Sequence, residues 1–348
     1  LKEEIIKDSI SGNLCRCTGY QPIIKAAKSL RKKNKNDHFE KNKKKTIALL
    51  KKIGNKTIVI YKKEKKYFAP RYVTELKKIL KRNINSQLLS GGTDLSLVVT
   101  KDRKDVNSII YMNSIKELNY IKSNKNYIEV GATTPLIEFE LYIKKYYPDF
   151  NKILTRYGSV QIRNVATVAG NIATASPIGD TLPLLIALNS KVVLQGIKKN
   201  KILPINDFFV GYRKTKLRAG QFIHSIRIPI FDKNFFKAYK ISKRFDDDIS
   251  SVCAAFNLEI KNKKIKNIKI AYGGMSATPT RATYCEKVLL NSSITNEVID
   301  KAKNALEKDF APISDMRASG KYRKIIAKNL LEKCFLEINK KKLIGIYN

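Results

Sequence analysis

Between Tyr157 and Pro183 the chain runs YGSVQIRNVATVAGNIATASPIGDTLP, a stretch of small residues, hydroxyls, two asparagines and one acid set in lysine-crowded surroundings. Ala166, Ala169, Gly170, Ala173 and Ala175 carry almost no side chain, so the backbone here can approach a bulky partner closely and leave its N–H groups free to donate. Such a segment can hold an anion without a single positive charge. Tight packing of chain against chain would also select small residues, and on this stretch alone both readings stand.

A chain of 348 residues exceeds one ordinary core and predicts two or three domains. Hydrophobic residues make up 43%, enough to fill such cores, and no apolar run has membrane-spanning length. No secretory signal is visible at the start; because the first residue is Leu1 and not Met, we expect the true N-terminus to be missing, any targeting peptide with it. The formal charge of +39, from 69 Lys+Arg against 30 Asp+Glu, would ordinarily point to a nucleic-acid or membrane partner. Here the lysines are spread through almost every segment beside Ile and Asn, with no basic arm interleaved with aromatics. That distribution argues against a specific nucleic-acid partner and leaves weak, salt-dependent attraction to polyanions. Five cysteines without regular pairing predict a reducing compartment, and so the cytoplasm.

Along the chain, apolar Ile5, Ile6 and Ile10, then Ile23, Ile24, Ala27 and Leu30, predict two short helices joined by a tight turn. In that turn Cys15 and Cys17 form a C-x-C pair, able to place two thiolates on one metal or one iron of a cluster. Two nearby cysteines can equally be small buried hydrophobes. Residues 31–66 are dominated by Lys and Asn and predict a solvated linker, with His38 exposed in it. TIVIYKKEKKYFAP predicts a strand, and FAPRYVTELKKILKRN a helix with Val73, Leu76, Ile79 and Leu80 on one face.

QLLSGGTDLSLVV follows, an apolar strand, a turn over Ser90, Gly91, Gly92, Thr93 and Asp94, and another apolar run. Such a turn can cradle a pyrophosphate on its backbone donors, with the Thr93 hydroxyl added, or be an ordinary hairpin turn. It is neither the G-x-G-x-x-G dinucleotide fingerprint nor a P-loop. Together with the Tyr157–Pro183 stretch it makes two small-residue loops, which is what an extended diphosphate cofactor requires. Strands such as SSVCAAFNLEI and IKNIKIAYGG, then helices NEVIDKAKNALEKD and YRKIIAKNLLEKCFLEI, predict a final α+β domain whose Gly273–Gly274 turn is structural. With His38 and His224 the only histidines, no Ser-His-Asp or zinc constellation competes.

GNLCRCTGYQPI resembles the second half of the distal 2Fe-2S cluster motif of the xanthine dehydrogenase and aldehyde oxidase family. LSGGTDLS, GSVQIRNVATVAGNIATASPIGDTLP, YKISKRFDDDISSV, AYGGMSATPTRA and SDMRASGKYRKIIAKNLL, in that order, resemble the flavin-binding part of the molybdenum hydroxylases. The resemblance implies an α+β chain with a truncated helical iron–sulfur remnant (1–34), a Lys/Asn-rich linker (35–65), a two-subdomain FAD-binding domain of the PCMH type (66–232) and a C-terminal α+β flavoprotein domain (233–348).

The same resemblance implies roles residue by residue. Cys15 and Cys17 would each ligate iron of a 2Fe-2S cluster, two further cysteines coming from an upstream C-x-x-C segment that this sequence does not include. Cys253, Cys285 and Cys334 match no cluster motif. Ser90, Gly91, Gly92, Thr93 and Asp94 would contact the FAD diphosphate and ribitol from one side. Thr167, Val168, Ala169, Gly170 and Asn171 would close on it from the other, Ala169 standing where the family usually shows glycine, which is tolerable if that position does not need positive φ. Tyr157 would lie against the isoalloxazine ring and Ile223 near it. Ser176, Pro177 and Asp180 would sit by the adenine-side and ribityl hydroxyls, and Lys240 by the polar edge of the ring, where a cation favours anionic reduced flavin. Arg244 to Asp248 would form a loop beside the flavin that influences nicotinamide access.

The implied activity is electron transfer: from a molybdenum cofactor on a large partner subunit, in a hetero-oligomer, through iron–sulfur clusters to FAD, and on to NAD+, oxygen or another acceptor. Two other readings remain. One is the flavin subunit of a carbon monoxide dehydrogenase or aromatic-ring hydroxylase, against which the fused C-x-C region argues because those subunits usually stand alone. The other is a degraded, non-enzymatic remnant, favoured by the truncated start and the drifted composition.

Overall fold

The computed structural model describes residues 2–14, 17–30, 37–54, 56–197 and 200–339. Helices α1 (Glu3–Ile10) and α2 (Tyr20–Ser29) bury Ile6 and Ile24 and are tied by an ion pair between Lys28 and Glu3. The expected linker contains two elements that its composition hid. Helix α3 (His38–Lys52) starts at Asp37, whose carboxylate accepts from the Glu40 amide at 2.8 Å, and buries none of its residues. A D-x-x-E cap followed by good helix formers is sufficient for a solvated helix. Strand β1 (Ile58–Lys62) then pairs antiparallel with β2 (Lys65–Ala69), so the single strand expected over TIVIYKKEKKYFAP is a hairpin. Its two-residue turn starts at Lys63 with φ of 53°, and carries none of the Gly or Asn that usually marks such turns.

Helix α4 (Val73–Arg82) buries Leu76 and Leu80 as its periodicity requires. Strand β3 (Gln87–Leu89) leads through the Ser90–Asp94 turn into helix α5 (Leu95–Thr100), so this turn joins a strand to a helix and is not a hairpin. Strand β4 (Ser108–Tyr111) completes a four-stranded sheet of order β1-β2-β4-β3, with β2, β4 and β3 parallel. Phe68, Leu76, Leu80, Ile110 and Met112 form its core together with Phe222 from a later strand.

A second sheet begins with β5 (Ile121–Ser123) and β6 (Tyr127–Gly131). Five helices follow in one run: α6 (Leu136–Ile143), α7 (Pro148–Thr155), α8 (Val160–Arg163), α9 (Val168–Thr174) and α10 (Thr181–Ala187). Ser159 and Thr167 cap α8 and α9 with their hydroxyls, which is why the chain can restart a helix every few residues there. Strands β7 (Lys191–Gly196) and β8 (Lys201–Pro204), the small ladder β9 (Phe209–Gly211) with β10 (Lys214–Thr215), and β11 (Gln221–Pro229) close the unit. The sheet order is β5-β6-β11-β7-β8, antiparallel throughout.

The last unit is an antiparallel sheet, β12 (Asn234–Ile241), β13 (Val252–Lys261), β14 (Lys264–Gly273) and β15 (Thr280–Arg281), followed by α11 (Thr283–Leu289), α12 (Asn296–Asp309) and α13 (Gly320–Ile338). One face of the sheet, with Val252, Ala254, Phe256 and Leu258, packs on these helices. The other face, with Ala238, Cys253, Ala255 and Ala271, joins the core of the second unit. Between them α10 is buried at all seven residues, and its Ala187 carbonyl accepts from Asn257 Nδ2 at 3.2 Å. The architecture is therefore the mixed α+β expected, and among the described residues no helix is long and apolar enough to cross a membrane.

Candidate functional site

Fourteen of the sixteen residues expected at the cofactor site line one cleft of about 1220 Å³, while Val168 is buried in α9 and Pro177 is not part of that lining. That exceeds the ~300–1,000 Å³ of most small-molecule pockets and suits an extended ligand. One wall is the turn between β3 and α5. Gly92 has φ of 73°, the left-handed region that favours glycine, and the amides of Gly91, Gly92, Thr93 and Asp94 make no hydrogen bond among the described residues. Ser90 Oγ donates to Asn113 Oδ1 at 2.6 Å, and Asp94 meets Arg213 at 3.4 Å near the rim. The two walls touch at Gly91, where a Cβ would fall 2.0 Å from the Val165 carbonyl oxygen.

The opposite wall is α9 and the turns on either side. Thr167 Oγ1 accepts from the Gly170 amide at 3.0 Å, and Ala169 is buried within the helix, so a residue with a Cβ is tolerated there without positive φ. Asn171 Nδ2 donates to the Tyr157 hydroxyl at 3.0 Å while its Oδ1 accepts from Thr181 Oγ1 at 2.5 Å, a chain that fixes the Tyr157 ring in the wall. Burial pushes the Tyr157 phenol well above its usual range, and the charges of Asp180 and Asp94 push it further, so the ring stays neutral. Ser176 Oγ accepts from the Ile178 amide at 3.4 Å, and Ile223, buried on β11, supplies an apolar floor.

Asp180 and Lys240 line the cleft and also meet each other. Lys240 Nζ donates to Asp180 Oδ2 at 2.6 Å and to the Arg156 carbonyl at 3.1 Å, and Ser250 Oγ donates to Asp180 Oδ1 at 2.5 Å. Both side chains are buried in the wall, so each neutralises the other: Asp180 has an engaged donor on both oxygens, and Lys240 is not a free cation. The RFDDD segment does reach the cleft through Asp247 and Asp248, with Ile249 beside them. Arg156 holds that segment, its guanidinium 4.2 Å from the Phe245 ring centroid and its Nε donating to the Phe245 carbonyl at 2.8 Å.

Several wall positions went unread in the sequence, among them Thr133, Ile249 and Arg317. Thr133 is buried, and its Oγ1 has no partner among the described residues. The hydroxyl pair in GATTP just after β6 was the available signal. Ile249 and Arg317 reach the cleft from the C-terminal unit, where only the tertiary fold brings them. Of the expected iron ligands, Cys15 lies outside the described residues and Cys17 is exposed at the turn between α1 and α2. Among the described residues no three His, Cys, Asp or Glu side chains gather as a metal site.

Comparison with known proteins gives three family matches: residues 61–231 to the FAD binding domain in molybdopterin dehydrogenase, 237–338 to the CO dehydrogenase flavoprotein C-terminal domain, and 1–28 to a [2Fe-2S] binding domain. Xanthine dehydrogenase of Emericella nidulans is 29% identical over 88% of this chain and 27% of its own length, so the chain spans about a quarter of that relative. The glyceraldehyde dehydrogenase medium chain of Sulfolobus acidocaldarius is 28% identical, covering 80% of this chain and 100% of that one. The nicotinate dehydrogenase FAD-subunit of Eubacterium barkeri is 26% identical over 79% and 96%. Among solved structures, a carbon monoxide dehydrogenase from Hydrogenophaga pseudoflava superposes with a TM-score of 0.74 at 25% identity, covering 79% of this chain and 96% of that one.

Proposed function

We infer that this chain, which matches the FAD binding domain in molybdopterin dehydrogenase, the CO dehydrogenase flavoprotein C-terminal domain and a [2Fe-2S] binding domain, is the electron-transferring flavoprotein part of a molybdenum hydroxylase. The observation that carries this reading is the meeting of the Ser90–Asp94 turn and the Thr167–Asn171 segment across one cleft. The residues suit FAD. The unpaired amides of Gly91–Asp94 can donate to a diphosphate, the buried Thr133 hydroxyl lacks a partner, and Gly92 and Gly170 present no side chain to a ligand.

When bound, FAD supplies the exchange between one-electron iron–sulfur chemistry and two-electron chemistry at the final acceptor. The chain's own contribution is position and electrostatics. Tyr157, held by Asn171, presents an aromatic surface for the ring, and Ile223 lines the apolar side. The Asp180–Lys240 pair keeps the wall neutral, and the Arg156-anchored acidic segment borders the opening. We propose that Cys15 and Cys17 supply two of four iron ligands, that a partner subunit carries the molybdenum cofactor in a cytoplasmic hetero-oligomer, and that electrons leave to NAD+ or another acceptor.

Two carrier enzymes fit. The xanthine dehydrogenase relatives and the [2Fe-2S] match at residues 1–28 favour the first; the C-terminal family match and the TM-score of 0.74 favour a carbon monoxide dehydrogenase-like assembly. Purified full chain should show flavin absorption with about one FAD per protein. A folded, colourless chain that takes up no added FAD would contradict the flavin reading and support a non-enzymatic remnant. With the partner subunit present, substrate-dependent NAD+ reduction tests the acceptor.

A further inference from the structure

Arg163 is wholly buried, yet its guanidinium joins three parts of the molecule. Nη1 donates to the Gly158 carbonyl at 2.6 Å and the Thr155 carbonyl at 3.1 Å, on either side of Tyr157 in the cleft wall. Nη2 donates to both carboxylate oxygens of Asp8 on α1, at 2.8 and 3.0 Å. Nε stands 3.0 Å from Glu140 Oε2 as an ion pair without hydrogen-bond alignment. Two further contacts seat the same segment: Gln161 Nε2 donates to the Ser9 carbonyl at 3.2 Å, and a Cβ on Gly12 would fall 2.4 Å from Gln161 Oε1.

A planar five-donor fork can serve a carboxylate and two carbonyls at once, which lysine cannot. We propose that Arg163 is a positioning residue that fastens α1 of the iron–sulfur segment to the Tyr157 turn in the cleft wall; the link to electron transfer rests on the flavin reading above. α1 supplies the second carboxylate, and Asp8, with its side chain 48% exposed, is the releasable half of the clamp.

The test uses the full chain with Asp8→Asn, which removes the charge at an accessible position, and Asp8→Glu, which keeps it. Amide hydrogen exchange over Ile5–Ile10 is expected to rise about three- to tenfold in Asp8→Asn, while exchange in α9 and the FAD content stay at wild-type levels. Asp8→Glu is expected to recover most of the protection. Raising NaCl to about 1 M should loosen α1 in the wild type and add nothing in Asp8→Asn. Unchanged exchange over Ile5–Ile10 in Asp8→Asn, or an equal rise in Asp8→Glu, overturns the clamp. A wild-type chain without FAD would count against the flavin reading only, and the exchange comparison would still decide the clamp.

Discussion

Gly92 and Gly170 face the same cleft for different reasons. At φ of 73°, a side chain on Gly92 is strained by about 1–2 kcal/mol whatever the space around it. Gly170 is helical, and a Cβ there meets only Thr167 Oγ1 at 3.1 Å. Gly92→Val is therefore expected to lower both the melting temperature and the FAD content. Gly170→Leu is expected to lose FAD with little change in melting temperature, and full FAD retention there would remove α9 from the proposed site. Flavin absorbance per protein and a thermal melt measure both.

His224 offers a second residue-scale test. Its burial on β11 lowers its pKa from the ordinary 6.5, with Lys122 and Lys77 adding to the effect and Glu129 opposing it. Below 6.5 the unfolded chain therefore binds more protons at this position than the native one, and stability rises as pH rises toward that value. Denaturant titrations between about pH 5 and 7 should show that slope in the wild type and a flatter one in His224→Gln. The two loops of the cleft were legible because each is a local run of small and hydroxylated side chains, whereas Ile223 and Lys240 came only from the family resemblance. The Asp180–Lys240 pair was not legible, because its partners lie 60 positions apart and neither local run signals the other.

At the scale of elements, α10 and β13 decide how the C-terminal unit meets the cleft. β13 was readable as a strand from its apolar run, since it is buried on both faces. Which face meets what was not readable: Cys253 and Ala255 are small because α10 lies against them, while Ala254 and Phe256 face the helices. Ala255→Leu should overpack that contact at a cost of about 1–3 kcal/mol and, through α10 and Asp180, reduce FAD content. Ala254→Leu should cost similar stability and leave FAD content alone; equal FAD loss in both would show that the sheet does not position the wall. The Ser90–Asp94 turn shows the same limit of local reading. Its apolar continuation suited a strand or a helix by pattern, and the close approach of Gly91 to Val165 accompanies the helix.

For the whole molecule, the charge of +39 acts as a diffuse field. Binding to heparin should be measurable at low salt and vanish by about 0.3 M NaCl, with FAD content unchanged, because exposed charges are screened and a buried cleft is not. Heparin binding that persists at that salt, or competes with FAD, would mean a built polyanion site.

By itself the sequence determined the two small-residue loops that line the cleft and the α+β class of the last unit, because small-residue turns, apolar strands and helix periodicity are all local; the class of the whole fold came from the family resemblance. The tertiary structure decided the rest. It paired Asp180 with Lys240, brought Ile249 and Arg317 to the opening, and seated α1 on α8 through Asp8 and Arg163, 155 positions apart. Each of these depends on which surfaces are removed from water together, and a buried charge finds its partner only once the layers have closed.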